Sequence, residues 1–156
     1  MNIVQYMLGF RNADGGVVRA LIDLVNLLAA HGHQVTVLTV DAVDAPRDWD
    51  GRDGRPLLKT LKPRRLLGML ADQTSLGVVD RSLTTADVVH LHVPWDPICA
   101  QIAGRARKHR VPYVVTVHGM LDDWTMPHGS AKKKTYLAVI GRRMLEGAAF
   151  VHSAAK

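Results

Sequence analysis

Strands alternating with helices along the whole chain predict an α/β protein built on a doubly wound parallel sheet. Three observations carry this expectation. An apolar run, Ile3, Val4, Gln5, Tyr6, Met7 and Leu8, stops at Gly9 and reads as a buried first strand. A Gly15-Gly16 loop then opens a stretch with helical periodicity, and a second apolar strand follows after His31-Gly32. Strand, glycine loop, helix, tight turn and strand make a βαβ unit, whose crossover is right-handed and whose strands are parallel.

In that first unit, Val17, Leu21, Leu24 and Leu28 recur at helical spacing, and Val18, Val25 and Leu27 widen the apolar stripe. Gly32 suits the left-handed residue that ends such a helix. Val35, Val37, Leu38 and Val40 form the second strand. Residues 41–56 are rich in Asp, Arg and Gly and read as a loop, with a short strand at Leu57-Leu58. Pro63 is expected to open a helix through Leu66, Leu67, Met69 and Leu70, continuing up to Thr85 past the helix-weakening Gly68 and Gly77. Residues 88–93 form a strand ended by Pro94, and residues 97–109 a helix carrying Ile98, Ile102 and Ala106. Residues 111–117 are a strongly β-branched strand entered at Pro112, residues 122–145 contain a second long helix, and Phe150-Val151-His152 begins a last strand.

Composition bounds the function. A chain of 156 residues fits one domain and, at this size, buries enough surface for a full core. With 47% hydrophobic and 22% charged residues the balance is that of a globular protein. No apolar run approaches a membrane span and no signal peptide begins at Met1, so the expected address is the cytoplasm. Cys99 is the only cysteine, which excludes an internal disulfide and any cysteine-based zinc site. The net charge of +6 would suit anionic partners. No helix-turn-helix, finger or aromatic-studded RNA motif accompanies it, so nucleic acid is not expected.

Ligands of open parallel sheets bind beyond the carboxyl ends of the strands. There the sequence places residues 9–16, then Val93-Pro94-Trp95-Asp96, then His118-Gly119-Met120. Backbone amides at Gly15-Gly16 would point outward with the positive end of the helix dipole, and two glycines let a phosphate or sugar approach closely. The loop is neither a P-loop nor a dinucleotide fingerprint; the plain alternative is a loop that turns the chain. His118 can present its ring to a bound sugar, or be satisfied within the structure. Trp95 and Trp124 can stack on sugar rings, or be core residues. His90 and His92 share a strand face, so a metal pair is conceivable, but only Asp96 lies near to support it and no metal is expected. His31 and His33 read as cap and strand-entry residues. Lys59, Lys62, Arg64 and Arg65 surround Leu61, Leu66 and Leu67, and Lys132, Lys133 and Lys134 precede residues 136–140 with Arg142 and Arg143 after them. Such segments suit peripheral contact with an anionic membrane, or are solvated helix faces.

Order and spacing together resemble family 4 glycosyltransferases. The matching pieces are Gly15-Gly16-Val17-Val18-Arg19 with Gly32-His33-Gln34-Val35-Thr36-Val37, then Asp87-Val88-Val89-His90-Leu91-His92, then residues 112–121 through His118-Gly119 with Trp124 behind. The resemblance implies a GT-B enzyme, two Rossmann-like domains facing across a cleft, and residues 1–156 as its N-terminal, acceptor-side domain with the donor-binding domain missing. It implies that Gly15, Gly16 and Arg19 face the donor phosphate and that His118 is the catalytic contact to the transferred sugar. Trp95, Asp96, Gly119 and Trp124 would shape the acceptor pocket. A nucleotide-sugar is implied as co-substrate, without cofactor or active-site metal, and a saccharide or lipid-linked molecule as acceptor. The sugar would be transferred with retention, in polysaccharide or glycolipid biosynthesis.

The family's second domain carries a Glu-seven-residues-Glu motif, which a chain whose one glutamate is Glu146 cannot contain. The fragment alone is therefore expected to be inactive, and to self-associate through the exposed strand edge at Phe150–His152. The alternatives are a non-catalytic carbohydrate- or membrane-binding module and half of a GT-B-like sugar-nucleotide epimerase.

Overall fold

The computed structural model describes residues 1–11, 15–64, 70–92, 95–118 and 140–153. In chain order the elements are β1 (Asn2–Tyr6), α1 (Gly16–Ala30), β2 (Gln34–Thr39), β3 (Leu57–Thr60), β4 (Pro63–Arg64) and β5 (Leu70–Ala71). They continue with α2 (Gln73–Leu83), β6 (Val88–His92), α3 (Pro97–His109), β7 (Tyr113–Thr116), α4 (Arg142–Glu146) and β8 (Phe150–His152). Six strands form one sheet in the order β3-β2-β1-β6-β7-β8, and every neighbouring pair is parallel. This is the doubly wound α/β architecture that the alternation of elements predicts.

From β1 the chain winds one way, to β2 and β3, and from β6 it winds the other way, to β7 and β8. Because each crossover is right-handed, the two directions put their helices on opposite faces. One core cluster accordingly joins Val4, Tyr6, Val89, Leu91 and Val115 of the sheet to α2 (Leu76, Val79), α3 (Ile98, Ile102) and Met144 of α4. The other joins Met7, Val35 and Val37 to Val18, Leu21 and Val25 of α1.

Local chemistry sets the helix ends. Asp72 caps α2, accepting from the Ser75 amide at 2.7 Å, and Asp96 caps α3, accepting from the Ile98 amide at 3.0 Å. Each cap is worth about 1 kcal/mol. Gly32, at φ +82°, turns the chain out of α1 as expected. Pairs of Asp80 with Arg105 (2.6 Å) and with His109 (3.0 Å) tie α2 to α3.

Two expectations need correction, and one expected loop also carries core residues. Pro63 opens no helix: Pro63–Arg64 pairs antiparallel with Leu70–Ala71, and the helix starts at Gln73. The capping carboxylate of Asp72, rather than a proline at the first turn, sets that start. The buried row of α1 is Val18, Leu21 and Val25, while Leu27 is 56% exposed. The loop of residues 41–56 contributes to the core through Trp49, 4% exposed, which meets Phe10 edge-to-face at 5.7 Å and donates to Asn26 Oδ1 at 3.0 Å.

Leu61 is buried, at 1% exposure, so of the first basic segment it offers no apolar surface. Among the described residues no helix is long and apolar enough to cross a membrane. The proposed helix of residues 122–145 falls outside the described residues except at its end, where α4 lies.

Gly147 joins α4 to β8, and a Cβ there would sit 2.6 Å from Tyr113 Oη and 2.9 Å from Arg107 Nη1. Tyr113 is 1% exposed and donates to the Met144 carbonyl at 2.6 Å, so its ring cannot step aside cheaply. Gly147→Ala is expected to destabilise by about 1–3 kcal/mol. Gly104→Ala, where the nearest atom is Arg107 Nη2 at 4.0 Å within α3, is expected to stabilise by about 0.5–1 kcal/mol. Urea unfolding midpoints of the two variants test this contrast.

Candidate functional site at the carboxyl edge

All six strands end on one edge, and at the β1–β6 seam the following segments leave for opposite faces. The segment after β1 leads to α1, and the segment after β6 to α3. Divergence at such a seam leaves the crevice in which doubly wound sheets bind ligands.

On the β1 side, Gly9 bridges to Asp41, and Phe10 is held by its amide to the Asp41 carbonyl (2.7 Å) and its carbonyl to the Asp44 amide (2.9 Å). Arg11 pairs with the Asp41 carboxylate, which holds that carboxyl below its ordinary range. Buried Phe10 and Trp49 brace this loop against α1. Gly15 then adopts φ +74° and ψ −146°, a region essentially reserved for glycine. Gly16 begins α1, and a side chain there would meet nothing within 4 Å. Backbone demands glycine at Gly15, whereas packing does not demand it at Gly16. Together they leave the first amides of α1 open to a ligand. Arg19 lies one turn on, strongly exposed and 3.6 Å from Asp23.

On the β6 side the sheet register builds a polar ladder. Gln5 is the partner of His90, His92 of Thr116, and Thr116 of His152. Partners in a parallel register share a face, here the one opposite Val4, Val89 and Val115. His90 Nε2 lies 2.7 Å from Thr116 Oγ1, and His92 Nε2 lies 2.9 Å from Gln5 Oε1. His92 Nδ1 lies 3.0 Å from His118 Nε2, with the two rings stacked at 5.3 Å. Burial pushes His90 down to about 4, assisted by repulsion from His118 and His152. Burial pushes His92 well below its ordinary range and lowers His118 as well. His90 and His92 are therefore neutral at pH 7.

His118 follows β7 with φ +41°, a left-handed conformation that a histidine adopts rarely, and costly enough to mark the position. Its stem is anchored by the Val117 amide donating to the His152 carbonyl at 3.0 Å. His118 is half-buried and its Nδ1 makes no hydrogen bond among the described residues.

Of the other expected site residues, Asp96 is 2% exposed and committed to the interior. It caps α3 and accepts a hydrogen bond from Tyr6 Oη. Burial raises its carboxyl, against the lowering effect of Tyr6 and the Ile98 amide. Trp95 is half-buried with its indole nitrogen inside. Gly119 and Trp124 lie outside the described residues. No group of metal-ligating side chains is present among the described residues. Sequence reasoning missed Gln5 and the hydrogen bond from His92 to His118; the one available signal was a glutamine inside an otherwise apolar strand. A cleft of about 440 Å³, lined by His33, Gln34 and Arg55 among others, opens at the opposite, amino-terminal edge of the sheet, away from these groups.

Neutral buried histidines make stability depend on pH. The folded value of His90, about 4, lies below the ordinary 6.5, so the unfolded chain binds more protons as the pH falls. Stability present above pH ~6.5 is lost progressively towards pH ~4, with a slope of up to about 1.4 kcal/mol per pH unit for each such group. Urea midpoints should fall between pH 7 and pH 5, and His90→Gln should flatten that fall. A midpoint independent of pH would contradict neutral, buried His90 and His92.

Residues 15–156 match the family described as "Glycosyl transferase 4-like domain". The structure of MurG from Acinetobacter baumannii superposes with a TM-score of 0.61 at 12% identity, over 100% of this chain and 42% of that one. A conserved protein from Enterococcus faecalis V583 superposes with a TM-score of 0.51 at 12% identity, over 99% of this chain and 92% of that one. The chain thus spans less than half the length of the MurG structure. At these identities the likeness is one of fold. Curated protein sequences yield no match. The family match over nearly the whole length and the parallel six-stranded sheet agree: the chain belongs to the glycosyl transferase 4-like family and is a Rossmann-like, glycosyltransferase-type domain.

Proposed function

We propose that this domain is the acceptor-side half of an enzyme that transfers a sugar, with retention, from a nucleotide-sugar to a saccharide or lipid-linked acceptor. The observation that carries the reading is the meeting of two unlike groups at one sheet edge. The open amino terminus of α1 at Gly15 and Gly16 lies beyond β1, and the strained His118 lies beyond β7. Only β6 separates those strands, which stand about 10 Å apart in the sheet.

In this reading the amides that open α1 meet the charge of the leaving diphosphate. His118 contacts the transferred sugar, and Arg19 adds positive charge at the rim. Trp95, Gly119 and Trp124 border the acceptor, while Asp96 supports them from inside by capping α3. The nucleotide is held by a partner domain, and neither cofactor nor metal is required. The setting is the cytoplasm, in polysaccharide or glycolipid assembly. Exposed Lys62 and Arg64 favour an anionic membrane surface as the place where a lipid-linked acceptor is met.

His118→Ala and His118→Gly test the reading in the enzyme completed by its donor-binding half. Both should lower kcat/KM by about 10²-fold, the scale of a lost transition-state contact. Glycine suits the positive φ, so His118→Gly relieves the backbone strain while it removes the hydrogen bond to buried His92, and a folding check by circular dichroism accompanies both variants. Unchanged turnover in both variants would remove His118 from the site.

A further inference from the structure

Each nitrogen of the His92 ring faces a different polar partner. Nε2 is 2.9 Å from Gln5 Oε1 and Nδ1 is 3.0 Å from His118 Nε2. His92 is 2% exposed and Gln5 1%. A neutral imidazole has one N–H and one lone pair, so its two hydrogen bonds cannot be chosen independently. If Nε2 donates to the glutamine, Nδ1 must accept from His118. If Nε2 accepts from the glutamine, Nδ1 must donate to His118.

We propose that Gln5 and His92 set the tautomer of His118. His92 Nε2–H donates to Gln5 Oε1, His118 Nε2–H donates to His92 Nδ1, and His118 Nδ1 is left as an acceptor for a hydroxyl of the bound sugar. Gln5 and His92 are positioning residues, acting through His118. The proposal rests on the reading of His118 as the sugar contact, and it adds which kind of sugar atom the ring recognises.

The polarity follows from the amide oxygen of Gln5 facing the His92 ring. Register keeps it there: Gln5 pairs with His90 and therefore lies on the ladder face of the sheet, beside the histidines of β6. No carboxylate touches either ring among the described residues, so nothing supplies a second proton to the pair. The other titratable groups on this face are His90 and His152, both bonded through Thr116. They form a separate chain that does not set the polarity of this one.

The consequence is chemical. An acceptor nitrogen rewards a sugar hydroxyl and offers nothing to an ether, a ring oxygen or a deoxy position. An oriented acceptor that the bound sugar covers disfavours the analogue that lacks the hydroxyl, because its lone pair would go unmet.

Nitrogen-15 spectra of the 156-residue chain labelled at histidine test the proposal at pH 7, without substrate. The expected result is a scalar coupling across the His118 Nε2–H···Nδ1 His92 hydrogen bond, with His118 Nε2 protonated and Nδ1 bare. Gln5→Met removes the acceptor and should abolish the coupling and leave His118 exchanging between tautomers. A protonated His118 Nδ1, an absent coupling in the parent chain, or a folded Gln5→Met with an unchanged spectrum would overturn the proposal. The parent spectrum decides polarity even if Gln5→Met fails to fold. Turnover of the His118 variants is a separate measurement, so failure of the tautomer assignment and failure of the functional reading are distinguishable.

Discussion

Parallel pairing of β1 with β6 is the contact on which the rest of this molecule depends. It joins two windings that run in opposite directions, β1 to β3 and β6 to β8. The preference for right-handed crossovers then assigns α1 to one face and α3 with α4 to the other. The same seam aligns Gln5 with His90, bringing a glutamine of the first strand beside the histidines of the sixth. Architecture and site chemistry therefore share one register. A slip of β6 by one residue at this seam would put His90 and His92 among the side chains of α2 and α3 and part them from Gln5.

Unlike strand pairing, the site draws on polar groups that the core would otherwise exclude. Gln5, His92, Asp96 and Thr116 are all buried, and each is hydrogen-bonded, as burial requires. Two solutions appear on the two sides of the sheet. Asp96 is answered by Tyr6 and by the amides that begin α3, so a buried carboxylate becomes part of a helix terminus. The histidines are answered by one another and by neutral side chains, and burial keeps His90 and His92 uncharged. Both arrangements hold the carboxyl edge rigid while leaving the amides of α1 and one nitrogen of His118 open. A left-handed φ at His118 and a glycine-only conformation at Gly15 lie on that edge, and such costly backbone conformations cluster at functional sites.

Much of this was legible in the chain itself. The alternation of apolar strands with amphipathic helices predicted the sheet. The periodicity of residues 97–109 marked α3, and Gly32 marked the end of α1, because periodicity and turns are decided within a few residues. The ordered set of glycine pair, His-x-His strand and His-Gly ending carried the family assignment. Local signals failed where two equally local signals competed. Pro63 suits a first helical turn and also an edge strand, and pairing with Leu70–Ala71 decided for the strand.

What only the tertiary structure decided is how residues distant in sequence divide their work. Asp96 reads as a pocket residue from its place after a strand, but packing against Tyr6, ninety positions earlier in the chain, turns its carboxylate inward. Trp49 and Phe10 sit in stretches that read as loop, and their mutual burial makes them the brace beneath the glycine pair. Gln5 and His92 are 87 residues apart, and nothing in either neighbourhood marks them as partners. The sequence determined the elements, their caps and the edge where chemistry would gather, because those depend on periodicity and near neighbours. Which nitrogen of His118 meets His92 depends on side chains from separate strands meeting on one face, and that is settled only when the sheet closes its register.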